Sequence, residues 1–155
     1  MEIKFAHEKD LDAWMALVRQ VQEVFPGLET QEAMEAHKAA VLRFMDNASA
    51  ICAVEANRIV GVLLFSRKTN ELCFLAVDPA HRRQHIAQSL AAFMLTQMDE
   101  GKDVTLLTYQ EGNPNGAAAR ALYKRLGFSE GNRLEKFGRP VQEFVLKRGT
   151  GLKKG

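Results

Sequence analysis

From Lys9 onward the apolar residues Leu11, Trp14, Met15, Val18 and Val21 recur at spacings of three and four, which places them on one stripe of a helix. A short alternating segment, EIKFA, precedes this stripe and predicts an edge strand. Pro26-Gly27 ends the first helix. Thr30 is placed to cap a second one running to about Phe44, with Ala33, Met34, His37, Val41 and Leu42 near one face. The pattern then switches to strands. AICAVEA and RIVGVLLFS are β-type runs separated by Asn57, a hairpin, and ELCFLAV is apolar almost throughout, as a central strand covered on both faces would be. By alternation Glu71 shares a strand face with Cys73, Leu75 and Val77.

Helical spacing returns from about Arg83 to Glu100, with Ile86, Leu90, Phe93 and Met94 on one stripe and Gly101 as the stop. DVTLLTY is a strand, Pro114 to Leu126 a helix closed by Gly127, and RLEKF and VQEFVLKR are two strands around Gly138-Arg139-Pro140. Strand-to-helix crossings after Val77 and Tyr109 require at least one parallel or splayed strand pair, while the hairpins require antiparallel neighbours. The expected fold is α/β (α+β): a mixed, mostly antiparallel central sheet with a splayed parallel pair and helices on both faces.

Composition narrows the class without changing this picture. The 155 residues suffice for one core, assigned to a single domain over 1–148, with 149–155 a flexible basic tail. A net charge of +2, with basic and acidic residues interleaved, argues against a nucleic-acid or membrane partner. Cys52 and Cys73 lie inside apolar runs without a second Cys or His at metal-ligand spacing, so both read as buried reduced thiols and no metal is expected. The charged N-terminus and the lack of an 18-residue apolar run predict a soluble, cytoplasmic protein.

The chemistry concentrates at two turns. After Asp78-Pro79 the chain passes Arg82 and Arg83 into a helix, whose first N–H groups have no intrahelical partner and whose dipole adds positive charge there. That combination suits a phosphate or pyrophosphate, although solvated arginines at a surface helix start would look the same. In the second stretch, TYQEGNPNGAAARALYKRLGF, Asn113 or Asn115 can cap a helix whose apolar stripe turns Tyr123 inward. Taken alone, Tyr123 reads as a core tyrosine.

Together the two stretches resemble the core motifs of the GCN5-related N-acetyltransferase (GNAT) superfamily. That family's cofactor loop reads Gln/Arg-x-x-Gly-x-Gly/Ala after a strand ending in a Val/Ile-x-Pro turn. AVDPAHRRQHIA supplies Arg82 at the first position and Ala87 at the last, and Asn115, Tyr123 and the Gly127-Phe128 pair match the later motif. The element order agrees over about residues 2 to 148. One position departs: the first loop glycine is His85. Histidine tolerates left-handed backbone better than most residues and adds an N–H donor, so a modified but working loop is expected, the alternative being a crowded pyrophosphate.

The resemblance implies an acetyl-CoA-dependent N-acetyltransferase that passes an acetyl group directly to a primary amine in a ternary complex. The coenzyme A arm would pair with the backbone of Leu75, Ala76 and Val77, and its pyrophosphate would sit on the N–H groups of Arg83, Gln84, His85, Ile86 and Ala87 beside the Arg82 and Arg83 side chains. A backbone N–H of Ala76 or Val77 would meet the oxyanion, Asn115 would bond the cofactor arm, and Tyr123 would be the general acid for the leaving thiolate. Glu71, 14 residues before His85, stands where one branch of the family has its general base; a solvated strand-start glutamate is the plain alternative. The acceptor is a small-molecule or peptide amine. The acceptor segments, FPGLETQEAMEAHK and EKFGRPVQEF, carry Glu29, Glu32, Glu35 and Glu143, which suit a cationic amine, yet both signs of charge are present and no substrate is assigned. Family members often pair, so a homodimer is a further expectation. A catalytically weak or silent acyl-CoA-binding or sensing domain is the rival reading, suggested by His85.

Overall fold

The computed structural model describes residues 1–148 other than Pro26, Arg83, Gln84 and Phe137. The expected basic tail and two of the expected loop residues, Arg83 and Gln84, therefore lie outside the described residues. The elements run β1 (Glu2–Phe5), α1 (Leu11–Val21), α2 (Gln31–Asp46), β2 (Ala50–Glu55), β3 (Arg58–Ser66), β4 (Glu71–Val77), α3 (Ile86–Gln97), β5 (Val104–Tyr109), α4 (Ala117–Arg125), β6 (Ser129–Lys136) and β7 (Arg139–Leu146).

Local chemistry explains most boundaries. Thr30 Oγ1 accepts the Ala33 N–H at 3.0 Å and starts α2, as its sequence position predicts. The β2–β3 hairpin turns through Ala56 and Asn57, both left-handed at φ 52 and 63, the pair of positive φ values that suits the twist of a two-residue hairpin. Helix α3 stops at Gln97, short of the Gly101 that the sequence offers. Arg67 Nη1 donates to the Gln97 carbonyl, and Asn70 Oδ1 accepts the Asp99 N–H, so side chains from the β3–β4 region end the helix before the glycine is reached. Strand β6 begins earlier than RLEKF because Ser129 already pairs with Val145.

The seven strands lie in the order β1-β2-β3-β4-β5-β7-β6, with β4–β5 the one parallel pair. Each face of this sheet has its own apolar cluster. Trp14, Met15, Val18 and Val41 from α1 and α2 pack on Cys52, Val62, Leu64 and Ala76. On the other face Ile86, Leu90 and Met94 of α3 and Tyr123 of α4 pack on Ile51, Leu63, Phe65, Leu72, Leu75, Leu106 and Phe144. Helices thus cover both faces, as the pattern predicts. No helix among the described residues is long and apolar enough to cross a membrane.

Candidate active site

The site begins with a failure of pairing. β5 is paired with β7 along its whole length, from Val104↔Leu146 to Tyr109↔Val141. Against β4 it has a single register pair, Glu71↔Thr105. Beyond that point the two strands diverge, and a slot opens with its apex at Glu71. The edge of β4 that lines it keeps unpaired backbone groups. Asp78 N–H donates to Val60 O of β3, so by strand alternation the Ala76 N–H also points to β3, whereas the N–H groups of Leu75 and Val77 point into the slot. Of the two expected oxyanion donors, this geometry leaves Val77.

A bulge corrects a second expectation. Leu64 pairs with Phe74 but Phe65 pairs with Leu72, so Cys73 is an extra residue in β4. The extra residue resets the alternation. Leu72 and Leu75 both face α3, and Phe74 and Ala76 face α1 and α2. Glu71, opposite in parity to Leu72, therefore lies on the α1/α2 face and does not share a face with Leu75 and Val77. The bulge also leaves Cys73 exposed, contrary to the expectation of two buried thiols. By surface area only Cys52 of the two is buried, yet desolvation pushes both thiols up, Cys52 to about 11 and Cys73 to about 12. Among the described residues no group of three or more His, Cys, Asp or Glu is placed to hold a metal.

At the open end of the slot the chain turns into α3. Asp78, 5% exposed, accepts the Ala80 N–H through Oδ1 at 2.9 Å and has Arg58 and His81 at 3.7 and 3.5 Å. His85 is the residue before the helix, with φ 60 and ψ 24. The chain does need left-handed backbone where the family motif has glycine, and histidine supplies it at a moderate conformational cost. Its Nδ1 lies 2.7 Å from Gln88 Oε1. Among the described residues no side chain caps the first turn of α3, which leaves its leading N–H groups available. Gly61 of β3 sets the height of this helix: a Cβ there would lie 2.8 Å from Ile86 Cγ2 and 3.0 Å from Leu90 Cδ1. Sequence inspection passed over Gly61, since only the packed sheet shows which glycine lies under a helix.

The second crossing differs from the motif in detail. Asn113 Oδ1 accepts the Asn115 N–H and caps a short 3-10 turn, and the residue before α4 is Gly116, not Asn115. The Asn115 side chain lies near the Tyr109 phenol at the end of β5. Gly116 permits this closeness, for a Cβ there would fall 2.5 Å from that of Tyr109. Tyr123, 7% exposed, lies between Phe128 and Phe144 with ring centroids 6.1 and 6.0 Å away, and burial pushes its hydroxyl up to about 12. Tyr123 and Glu71 thus lie on opposite faces of the sheet. On the Glu71 face, Phe74 is stacked by Phe25 and by His37, whose pKa is lowered by burial. Glu29 is paired with Arg139 at 2.8 Å, which links the α1–α2 connection to the β6–β7 hairpin.

Comparison with known proteins agrees with this arrangement. Among solved structures, a ribosomal-protein-alanine N-acetyltransferase from Brucella melitensis superposes with a TM-score of 0.74 at 21% identity, covering 96% of this chain and 99% of its own. The PaiA N-acetyltransferase from Thermoplasma acidophilum, solved in complex with coenzyme A, gives 0.71 at 16% identity, with coverages of 92% and 96%. YncA from Salmonella typhimurium, a putative acetyltransferase solved with its cofactor acetyl-CoA, gives 0.71 at 15%, with coverages of 94% and 92%. No curated protein sequence matches. The sequence model of the acetyltransferase (GNAT) family matches residues 14–128. The slot between diverging parallel strands, the left-handed turn into α3 and that match together identify the chain as a member of the GNAT acetyltransferase family.

Proposed function

We propose that the chain is an N-acetyltransferase that uses acetyl-CoA and a primary amine carried by a small molecule or a peptide. The observation that carries the reading is the β4–β5 slot, whose backbone N–H groups at Leu75 and Val77 have no strand partner across the gap. An extended arm with amide groups satisfies such an edge as a further strand would. The uncapped start of α3 at the mouth of the slot fits a diphosphate, with Arg82, His85, Ile86 and Ala87 around it. Arg83 and Gln84 belong to the same proposal through the sequence motif alone. Acetyl-CoA, when bound, supplies the thioester.

The chain's own groups then divide the work. Leu75 and Val77 orient the arm, and the Val77 N–H is the oxyanion donor. Tyr123 holds a proton on the α3/α4 side. Burial keeps this proton on the phenol and raises the leaving thiolate in the same slot as well, so Tyr123 is the general acid for the thiolate. Glu71, at the apex and on the other face, is the base that keeps the incoming amine neutral. Asn115, near Tyr109 at the far end of β5, borders the arm. Localisation in the cytoplasm and a homodimer remain part of the proposal on sequence grounds.

Calorimetry with acetyl-CoA followed by a free-thiol assay over an amine panel tests the reading. Binding with micromolar affinity and thiol release with at least one amine is the expected result. Absence of binding would overturn it, and binding without release across the panel would favour the silent acyl-CoA domain.

A further inference from the structure

Two polar side chains without a role in the reading above stand at the two ends of β5. Asn70, 2% exposed and left-handed at φ 55, stands immediately before Glu71. Its Nδ2 donates to the carbonyls of Asp99, Lys102 and Asp103 at 3.3–3.4 Å, its Oδ1 accepts the Asp99 N–H, and its backbone carbonyl accepts the Thr105 N–H. Thr105 is the β5 partner of Glu71. The side chain of Asn70 therefore fastens the α3–β5 connection to the first residue of β4, at the apex of the slot.

Arg120, 6% exposed, stands at the other end. Its Nη1 donates to the Tyr109 carbonyl at 2.9 Å and to Gln142 Oε1 at 2.7 Å, its Nη2 donates to Glu130, and its guanidinium lies over the Phe144 ring at 4.9 Å. Tyr109 is the last residue of β5. One guanidinium thus draws the open end of β5 onto α4, β6 and β7, away from β4. A buried arginine is costly unless each of its donors is matched, and here three different elements supply the acceptors.

We propose that Asn70 and Arg120 are positioning residues that set the divergence of β4 and β5, the first closing the slot at its apex and the second holding it open at its end. The inference rests on the cofactor reading above and adds that the width of the slot is built by side chains, not left to the backbone. An arm held by strand-type hydrogen bonds responds steeply to that width, since a displacement of about 1 Å breaks such bonds.

The test measures acetyl-CoA affinity in three variants, at a temperature where near-UV circular dichroism shows all of them folded. Asn70→Gly retains the left-handed backbone and removes only the side-chain clamp. Arg120→Met retains the length of the stem and its packing on Phe144. Val41→Ala, in the fully buried cluster on the α1/α2 face, is a control for lost stability alone. Asn70→Gly and Arg120→Met are expected to raise the Kd by about tenfold or more, while Val41→Ala at a similar loss of Tm leaves it unchanged. An Asn70→Gly variant that binds within twofold of the native protein overturns the proposal, and this outcome does not depend on whether Arg120→Met folds. If the native protein itself fails to bind acetyl-CoA, the cofactor reading falls, and that failure is distinct because it appears before any substitution is made.

Discussion

Strand β4 has two edges of opposite character. Toward β3 it is paired from Glu71↔Ser66 to Val77↔Gly61, with one bulge at Cys73. Toward β5 it is paired once, at Glu71↔Thr105. Both edges belong to the same apolar strand, so nothing in its own composition makes one sealed and the other open. The difference comes from the neighbours. β3 is joined to β4 by a short connection and follows it, whereas β5 is engaged along its full length by β7. β7 uses only one edge of β5, so the groups that β5 turns toward β4 stay unpaired where the two strands diverge. The slot is the space left over, and its cost in unpaired N–H groups is the signature of a ligand edge.

The largest expected effect comes from breaking the alliance that holds β5 away. Phe144→Ala removes a fully buried ring beneath Arg120 and Tyr123 and should cost about 3–5 kcal/mol in denaturant unfolding. Tyr123→Phe leaves the packing nearly intact but removes the hydroxyl at the slot, and it is expected to slow thiol release on the order of 10²-fold with unchanged acetyl-CoA affinity. Unaltered turnover with a good acceptor would remove Tyr123 from the mechanism. The same residue predicts an alkaline limb of stability. Its folded pKa of about 12 lies above the unfolded value near 10, so the stability it supplies is complete below pH 10 and is lost as pH rises through 12. That amounts to roughly 2–3 kcal/mol, and urea titrations should show a flatter limb for Tyr123→Phe than for the native chain.

On the sealed side, Gly61→Ala forces Ile86 and Leu90 to give way and should cost about 1–3 kcal/mol by the same titration. It is also expected to weaken acetyl-CoA binding, because it lifts the start of α3 that Ile86 anchors. The smallest effect belongs to His85→Gly. The histidine already occupies the left-handed region and its ring is tied to Gln88, so its replacement should change acetyl-CoA affinity by less than about threefold. A large gain in affinity would show that the ring crowds the diphosphate.

Much of this was legible in the chain. The spacing of Leu11, Trp14, Met15 and Val18 and the Thr30 cap predict α1 and α2 correctly, because amphipathic period and capping are local properties. The Asn57 hairpin and the strands β2 to β5 follow for the same reason. The alternation of β4 did not, since one residue inserted at Cys73 reverses the face of everything before it, and a bulge is set by the pairing partner. The motif match at Asn115 also shifted: Gly116 precedes α4 because Tyr109 lies against it, a contact between segments that local sequence does not record.

By itself the sequence determined the number, order and kind of the elements, the two strand-to-helix crossings and the basic turn at Arg82 to Ala87, since each rests on hydrogen bonds or apolar periodicity within a few residues. The tertiary structure decided which edge of β4 stays open, which N–H groups line it, and that Glu71 and Tyr123 lie on opposite faces of the sheet. It also decided that Asn70 and Arg120 frame it. These are outcomes of contacts between segments far apart in the chain, which are settled only when the whole sheet is assembled.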